Sequence, residues 1–379
     1  MNFDFEEEEE ALGRMIKEVF DQDQEAGTAL NRLEHADSKE LRDATLRCLK
    51  ALGETGYLEL GLEQGTNSVT LTAAQESLAA LSPSLFLSVE VHARLFGRLV
   101  AVYGTDDQKA EILPSLKQGR IIGAVAMSED GISIDNQPLE TMAVSRGDGF
   151  HLSGSKGHVV NAPVSDWIAV AGTVQGKAGQ GVAFFLVKKE SEGLSLGRRF
   201  STIGYNGTAI SAVTLENCPV PSRFVIEGEE LLRSIRMWED QILTAAGLGL
   251  MQRSYEIALK YAKEHMRGGK PIIAFQEIGF KLAEMLTLLQ TAQLLAFRSA
   301  WMSETGDREA DVLVRCAKVF CAESAEEISS QALQILGGQG YLSGNPAEEG
   351  YRNAKYLEIA GASMEISRMK IAESVLGET

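Results

Sequence analysis

Glu239 is the carboxylate in this chain best placed to do chemistry. It lies in Ile235-Arg236-Met237-Trp238-Glu239-Asp240-Gln241-Ile242-Leu243, where helical spacing puts Leu232, Ile235, Ile242, Ala246 and Leu250 on its own face. A carboxylate on an apolar helix face is costly unless paired, and burial raises the pKa of such a group, which makes it a candidate general base. A salt-bridged structural Glu occupies the same kind of position, so this stretch alone leaves both readings open. Glu90, in Leu87-Ser88-Val89-Glu90-Val91-His92, reads either as a helix-surface residue or as a second acid/base group. The histidines at 35, 92, 151, 158 and 265 and the cysteines at 48, 218, 316 and 321 show no metal-type spacing, and no metal site is expected.

These groups need elements to hold them. The 379 residues have ample length for two or three domains, with 44% hydrophobic and 23% charged residues. The net charge of −17 argues against nucleic acid or an anionic membrane as partner. No uncharged apolar run is long enough to span a membrane, no signal peptide is apparent, and the cysteine usage suits a reducing, cytoplasmic setting. Residues 1–120 read as helices: 5–20, 38–52 with a Ser38 cap, 70–81, 84–103 and 106–116. Residues 121–228 read as short antiparallel strands between Gly, Asn and Asp turns, a barrel or sandwich. Residues 229–379 return to helical periodicity, at roughly 229–266, 274–305, 308–336 and 362–376, which predicts a four-helix bundle. The fold class is therefore α+β, in the order helix, β, helix.

Several motifs in that order then resemble one family. Met127-Ser128-Glu129-Asp130-Gly131-Ile132-Ser133-Ile134-Asp135 looks like a "TEPGAGSD" segment, and Gly154 to Asn161 looks like a "GxKxWITN" strand. Val213 to Pro221 is similar to "LENVRVP", Gly269-Lys270-Pro271-Ile272 with Phe275-Gln276 to "FGKPI…FQ", and Gln334 to Tyr341 to "QILGGxGY". Over essentially the full chain these resemble the acyl-CoA dehydrogenase family. The resemblance implies FAD, and no strand followed by G-x-G-x-x-G occurs here. It also implies a homotetramer with FAD between subunits and an electron-transfer flavoprotein as acceptor. By position, Ser128 would contact the flavin, and the strand from His158 to Val160 would run alongside it. Gln276, Gln334 and Gly338 would meet the adenosine and pyrophosphate end from a neighbouring subunit. The resemblance also places Ser363 among the cofactor contacts and Ser133, Glu90 and Gly361 among the substrate contacts.

Most members of that family carry their base in an "EGT" turn before the final helix. Aligning on Arg352-Asn353-Ala354-Lys355 puts Gly361 there instead, with Glu358 and Glu365 flanking the turn. This is similar to the isovaleryl-CoA dehydrogenase branch, "RDAKLYEIGAGTSE", whose base lies in an "LERLVL…GLMQ" helix. Here Glu239 and then Gly249-Leu250-Met251-Gln252 fall on that pattern. The implied reaction forms a 2,3-enoyl thioester. The carboxylate takes the α-proton, flavin N5 takes the β-hydride, and a ribityl hydroxyl with the Gly361 N–H stabilises the carbonyl. The leading substrate is a short, branched or alicyclic acyl-CoA.

Departures from the family leave alternatives. "WIT" becomes His158-Val159-Val160, so His158 is either a packed strand residue or a modified flavin neighbour. In the "ERxxFG" segment a phosphate-contacting Arg becomes His265 and a Phe becomes Gly268, with Arg267 nearby, and the Arg that follows the base is Asp240. The same reaction on an acyl group tethered to a carrier protein is one alternative. A flavin-poor subunit beside an active paralogue is another.

Overall fold

Capping chemistry sets the helix starts of the N-terminal third. The computed structural model describes residues 7–62, 68–131, 138–174, 181–228, 230–305 and 309–376. The first helices are α1 (Glu7–Gln22), α2 (Gln24–Arg32), α3 (Ser38–Glu54) and α4 (Ser68–Leu81). They are followed by α5 (Pro83–Glu90), α6 (Arg98–Tyr103) and α7 (Asp106–Lys117). The cap of α3 is Asp37 rather than Ser38. Its carboxylate accepts from the Lys39 and Glu40 N–H groups, and Glu40 answers the Asp37 N–H, closing a capping box. Thr105 and Gln108 form the same box at α7. The predicted 84–103 helix is interrupted by a π-helical turn, Val91–Gly97, which is buried throughout. His92 anchors that turn. Its Nε2 lies 3.3 Å from the Leu116 carbonyl at the end of α7, and its Nδ1 accepts from the Gly123 N–H at 3.2 Å. These contacts define the Nε2–H tautomer.

The middle domain is a mixed sheet. Its strands are β1 (Gly123–Ala126), β2 (Met142–Arg146), β3 (Gly149–Val160), β4 (Trp167–Val174) and β5 (Val182–Lys188). β6 (Leu194–Leu196), β7 (Ile210–Pro221) and β8 (Val225–Glu227) complete the order β6-β7-β3-β2-β4-β5-β8, with β1 pairing β4. Most pairings are antiparallel, as the turn-separated runs predict. β4, buried along its whole length, also pairs in parallel with β1 and β2. A fully buried, almost wholly apolar central strand is what a sheet covered on both faces requires.

α8 (Leu231–Glu264) opens the C-terminal part. Every residue from 242 to 251 is buried, which is why a clean amphipathic stripe is missing there. Small residues let neighbours come close: a Cβ on Gly249 would lie 2.4 Å from that of Ala79 in α4. After a short β9–β10 hairpin (Met266–Arg267 and Lys270–Pro271) come α9 (Gln276–Thr305), α10 (Ala310–Leu336), α11 (Pro346–Ile359) and α12 (Met364–Leu376). α8 to α11 form the bundle and α12 packs on α10. The sequence reading missed α2, α11, β6 and β8. Gly306, read as a helix stop, lies outside the described residues.

Candidate active site

A cavity of about 490 Å³ opens where α8, the helix–π turn, the sheet and α11 converge. Leu87, Val91 and Leu95 line it from the helix–π segment, spaced four apart along the widened turn. Val125, Met127, Ser128, His158 and Val160 line it from the sheet. Glu239, Ile242 and Leu243 come from α8, and Tyr356, Ala360 and Gly361 from the end of α11. The volume suits a small-molecule site, mostly apolar with a few convergent polar groups.

Glu239 enters this cavity with its side chain 21% exposed, and Arg236 Nη1 donates to its Oε2 at 2.6 Å. Opposite it, Gly361 adopts φ +67, the left-handed region that favours glycine. A Cβ there would lie 3.3 Å from Glu239 Oε2 and 3.1 Å from Leu243 Cδ1. A side chain at 361 and the Glu239 carboxylate therefore compete for the same space. No described residue accepts the Gly361 N–H. Behind the turn, buried Lys318 donates to the Ala362 carbonyl at 2.6 Å. Burial pushes the Asp240 carboxyl up to about 7, against the pull of Lys318. Asp240 thus sits in the bundle interior, not on the cavity wall.

Of the other sequence-predicted residues, Ser128, His158 and Val160 reach this cavity. His158 stands at its edge, 74% exposed, with its ring 5.2 Å from Phe200 and Nδ1 3.9 Å from Asp130. Glu90 does not reach it, and neither expectation for that residue describes where it lies. It is fully buried, not on a helix surface, and it accepts from the Tyr57 hydroxyl at 2.7 Å and from Gln75. Arg94, one turn along, lies 3.8 Å away. Charge compensation inside the N-terminal helices occupies this carboxylate. Glu358 pairs with Lys355, and Glu365 is exposed in the first turn of α12. Ser133 lies outside the described residues. Ser363 is half-buried, with its Oγ 3.4 Å from the Ile366 N–H.

His265, Gln276, Gln334 and Gly338 are exposed at the other end of the bundle. α9 and α10 run antiparallel, tied by Lys281 to Gln331, so Gln276 and Gln334 share one end. His265 caps α8 there, 26 residues from Glu239, or roughly 39 Å along a helix.

Sequence reasoning missed several neighbours. Arg236 could have been found from its i,i+3 spacing to Glu239. Lys156 and Glu129 form a buried pair at 2.6 Å beneath the Met127–Ser128 wall. Burial favours the neutral form of both, yet hydrogen bonds from Lys156 and Thr141 carry the Glu129 carboxyl below its ordinary value. The signal was a lysine between small residues in a strand. Nothing in the sequence marked Tyr356. A second, more open cavity of about 360 Å³ between α1, α4, α8 and α9 contains none of the predicted site residues.

Acyl-CoA dehydrogenase signatures match all three parts of this architecture: the N-terminal domain at residues 6–120, the middle domain at 124–218 and the C-terminal domain at 236–376. The chain belongs to the acyl-CoA dehydrogenase family, whose members are flavoprotein oxidoreductases. It is 31% identical to isovaleryl-CoA dehydrogenase of Oryza sativa subsp. japonica over 90% of this chain and 83% of that one. It is also 31% identical to a 3-(aryl)acrylate reductase of Clostridium sporogenes, over 86% of this chain and 89% of that one. Among solved structures, the prolyl acyl carrier protein oxidase AnaB superposes with a TM-score of 0.81 at 26% identity, covering 93% of this chain and 98% of that one. Among the described residues no helix is long and apolar enough to cross a membrane.

Proposed function

We propose that this family member removes the α- and β-hydrogens of a short, branched or alicyclic acyl thioester, with Glu239 as the base that takes the α-proton. The observation that carries the reading is the apposition of Glu239 and Gly361. The carboxylate fills the space that a side chain at 361 would need, and the unpaired Gly361 N–H lies on the same cavity wall. An acyl group in the cavity, lying against both residues, would have its α-carbon within reach of Glu239. Its thioester oxygen would accept from Gly361, where the donor stabilises developing enolate charge. Arg236 holds the carboxylate toward the cavity.

FAD fits the opposite wall. Apolar Val125, Met127 and Val160 offer a surface for a flat ring system, and no described residue pairs with the Ser128 hydroxyl at its rim. When bound there, FAD supplies the acceptor for the β-hydride. His265, Gln276, Gln334 and Gly338 stand at the far end of the bundle and do not line the same cavity. They would serve the cofactor of a neighbouring copy, the homotetramer reading. An electron-transfer flavoprotein would be the acceptor of its electrons.

The test is anaerobic titration of the purified protein with branched, alicyclic and straight acyl-CoAs. A yellow protein with near-stoichiometric FAD that bleaches with the compact acyl groups supports the reading. A colourless protein points instead to the flavin-poor subunit. A carrier-tethered acyl substrate is the second reading. It is favoured by Ile203, 68% exposed at the cavity rim where a carrier protein would dock, and by the likeness to AnaB. Comparing turnover of the CoA ester with its phosphopantetheinyl-carrier form separates the two.

A further inference from the structure

Tyr356 is a polar residue on the cavity wall that the reaction leaves unused. It lies in the last turn of α11, and its ring packs 4.9 Å from that of Tyr205. Tyr205 is buried and held at φ +51, a conformation a bulky residue rarely adopts. Contacts to α11 hold it there. Asn353 Oδ1 accepts from the Tyr205 N–H at 2.7 Å, and Arg352 reaches the Ile203 carbonyl. A Cβ on Gly204 would lie 2.7 Å from Asn353 Oδ1, so the loop is seated directly on the helix. The loop at 203–208 therefore fixes the orientation of Tyr356. The order Tyr356-Leu357 is itself the reverse of the "LY" in the motif this turn resembles.

No described residue pairs with the Tyr356 hydroxyl, although the side chain lines the same cavity as Glu239. Burial and the nearby Glu239 charge both push this phenol upward, so it stays neutral, with a hydroxyl that can donate to an oxygen and accept from an ammonium. In the empty cavity, water can satisfy it. An acyl group that fills the cavity expels that water, and a purely aliphatic one leaves the hydroxyl desolvated and unpaired.

We propose that Tyr356 is a specificity-determining residue that hydrogen-bonds a heteroatom (hydroxyl, ether or amine) near the α- or β-carbon of the acyl group. This rests on reading the cavity as the acyl site. It narrows the substrate from any compact acyl thioester to a heteroatom-bearing one. A site built around a substrate hydrogen bond discriminates far more sharply than one built around shape alone.

The experiment uses matched five-membered rings. Cyclopentanecarbonyl-CoA is compared with tetrahydrofuran-2-carbonyl-CoA and pyrrolidine-2-carbonyl-CoA, by calorimetric affinity and by the rate of flavin bleaching. The expected result is that the holoprotein favours at least one heteroatom ring by tenfold or more over the carbocycle. In Y356F that ratio falls to about one, whatever the absolute rates. A wild-type ratio within twofold of one, a ratio unchanged in Y356F, or no binding of any of the three overturns the proposal. Affinity is read independently of turnover. Selective binding without bleaching therefore contradicts the dehydrogenation reading alone, while bleaching without selectivity contradicts Tyr356 alone.

Discussion

At the scale of single residues, one pair decides the site: Gly361 opens the space that the Glu239 carboxylate occupies. G361A should therefore lower both stability and activity. A Cβ at φ +67 costs about 1–2 kcal/mol in backbone strain. It also sits 3.3 Å from Glu239 Oε2, so the carboxylate must shift, and a displacement on the order of 1 Å costs about 100-fold in rate. Thermal unfolding and the rate of flavin reduction check the two effects separately. This pair was legible in the sequence because each member carries its own pattern: a carboxylate on an apolar helix stripe and a glycine where a base would stand. Arg236 and Lys156 were less so, since a charge that pairs inside a fold has the same letter as one that faces water. Glu90 misled for that reason. Its partners Tyr57 and Gln75 come from elsewhere in the chain, and no local spacing announces them.

At the scale of elements, the cavity depends on how the helix–π segment is fastened to the sheet. His92 does this, and burial drives its pKa down from 6.5 to about 4, against the pull of the Leu116 carbonyl. The unfolded chain binds a proton at His92 near pH 6.5, whereas the folded chain resists until about 4. The stability from this residue is thus complete above 6.5 and is lost as pH falls through that window, by up to ~3 kcal/mol. The melting temperature of the wild type should fall steeply across this range. H92Q, whose amide can offer one donor and one acceptor but does not titrate, should show a shallower slope. The π turn itself was hidden in the sequence, because Val91–Gly97 continues the helical pattern on both sides and only the backbone registers the extra residue. α11 was hidden for a different reason: a Pro346 start and a run of small and charged residues look like a loop until α8 and α10 pack on it.

At the scale of the molecule, α9 carries an apolar row that no part of the described chain covers. Phe280, Leu294 and Trp301 are each more than half exposed and recur at multiples of seven along one helix. Such a row calls for a partner surface, and a second copy would also bring the far-end residues to another subunit's flavin. The double variant L294E/W301E should sediment as a smaller species and retain less FAD than the wild type. The helix–sheet–helix order and three of the bundle's four helices were legible from periodicity alone, but the fourth is α11 and not the predicted 362–376, which packs outside on α10. The parallel pairing of β4 with β1 and β2 was not legible, because period-two patterns do not record strand direction. Stopped-flow flavin reduction by a bleaching acyl thioester in wild type and E239Q tests the proposed role of Glu239 as the base most directly. E239Q should bind the thioester but be bleached about 1,000-fold more slowly, in the range expected for losing a general base. An E239Q protein that bleaches as fast as the wild type would contradict it.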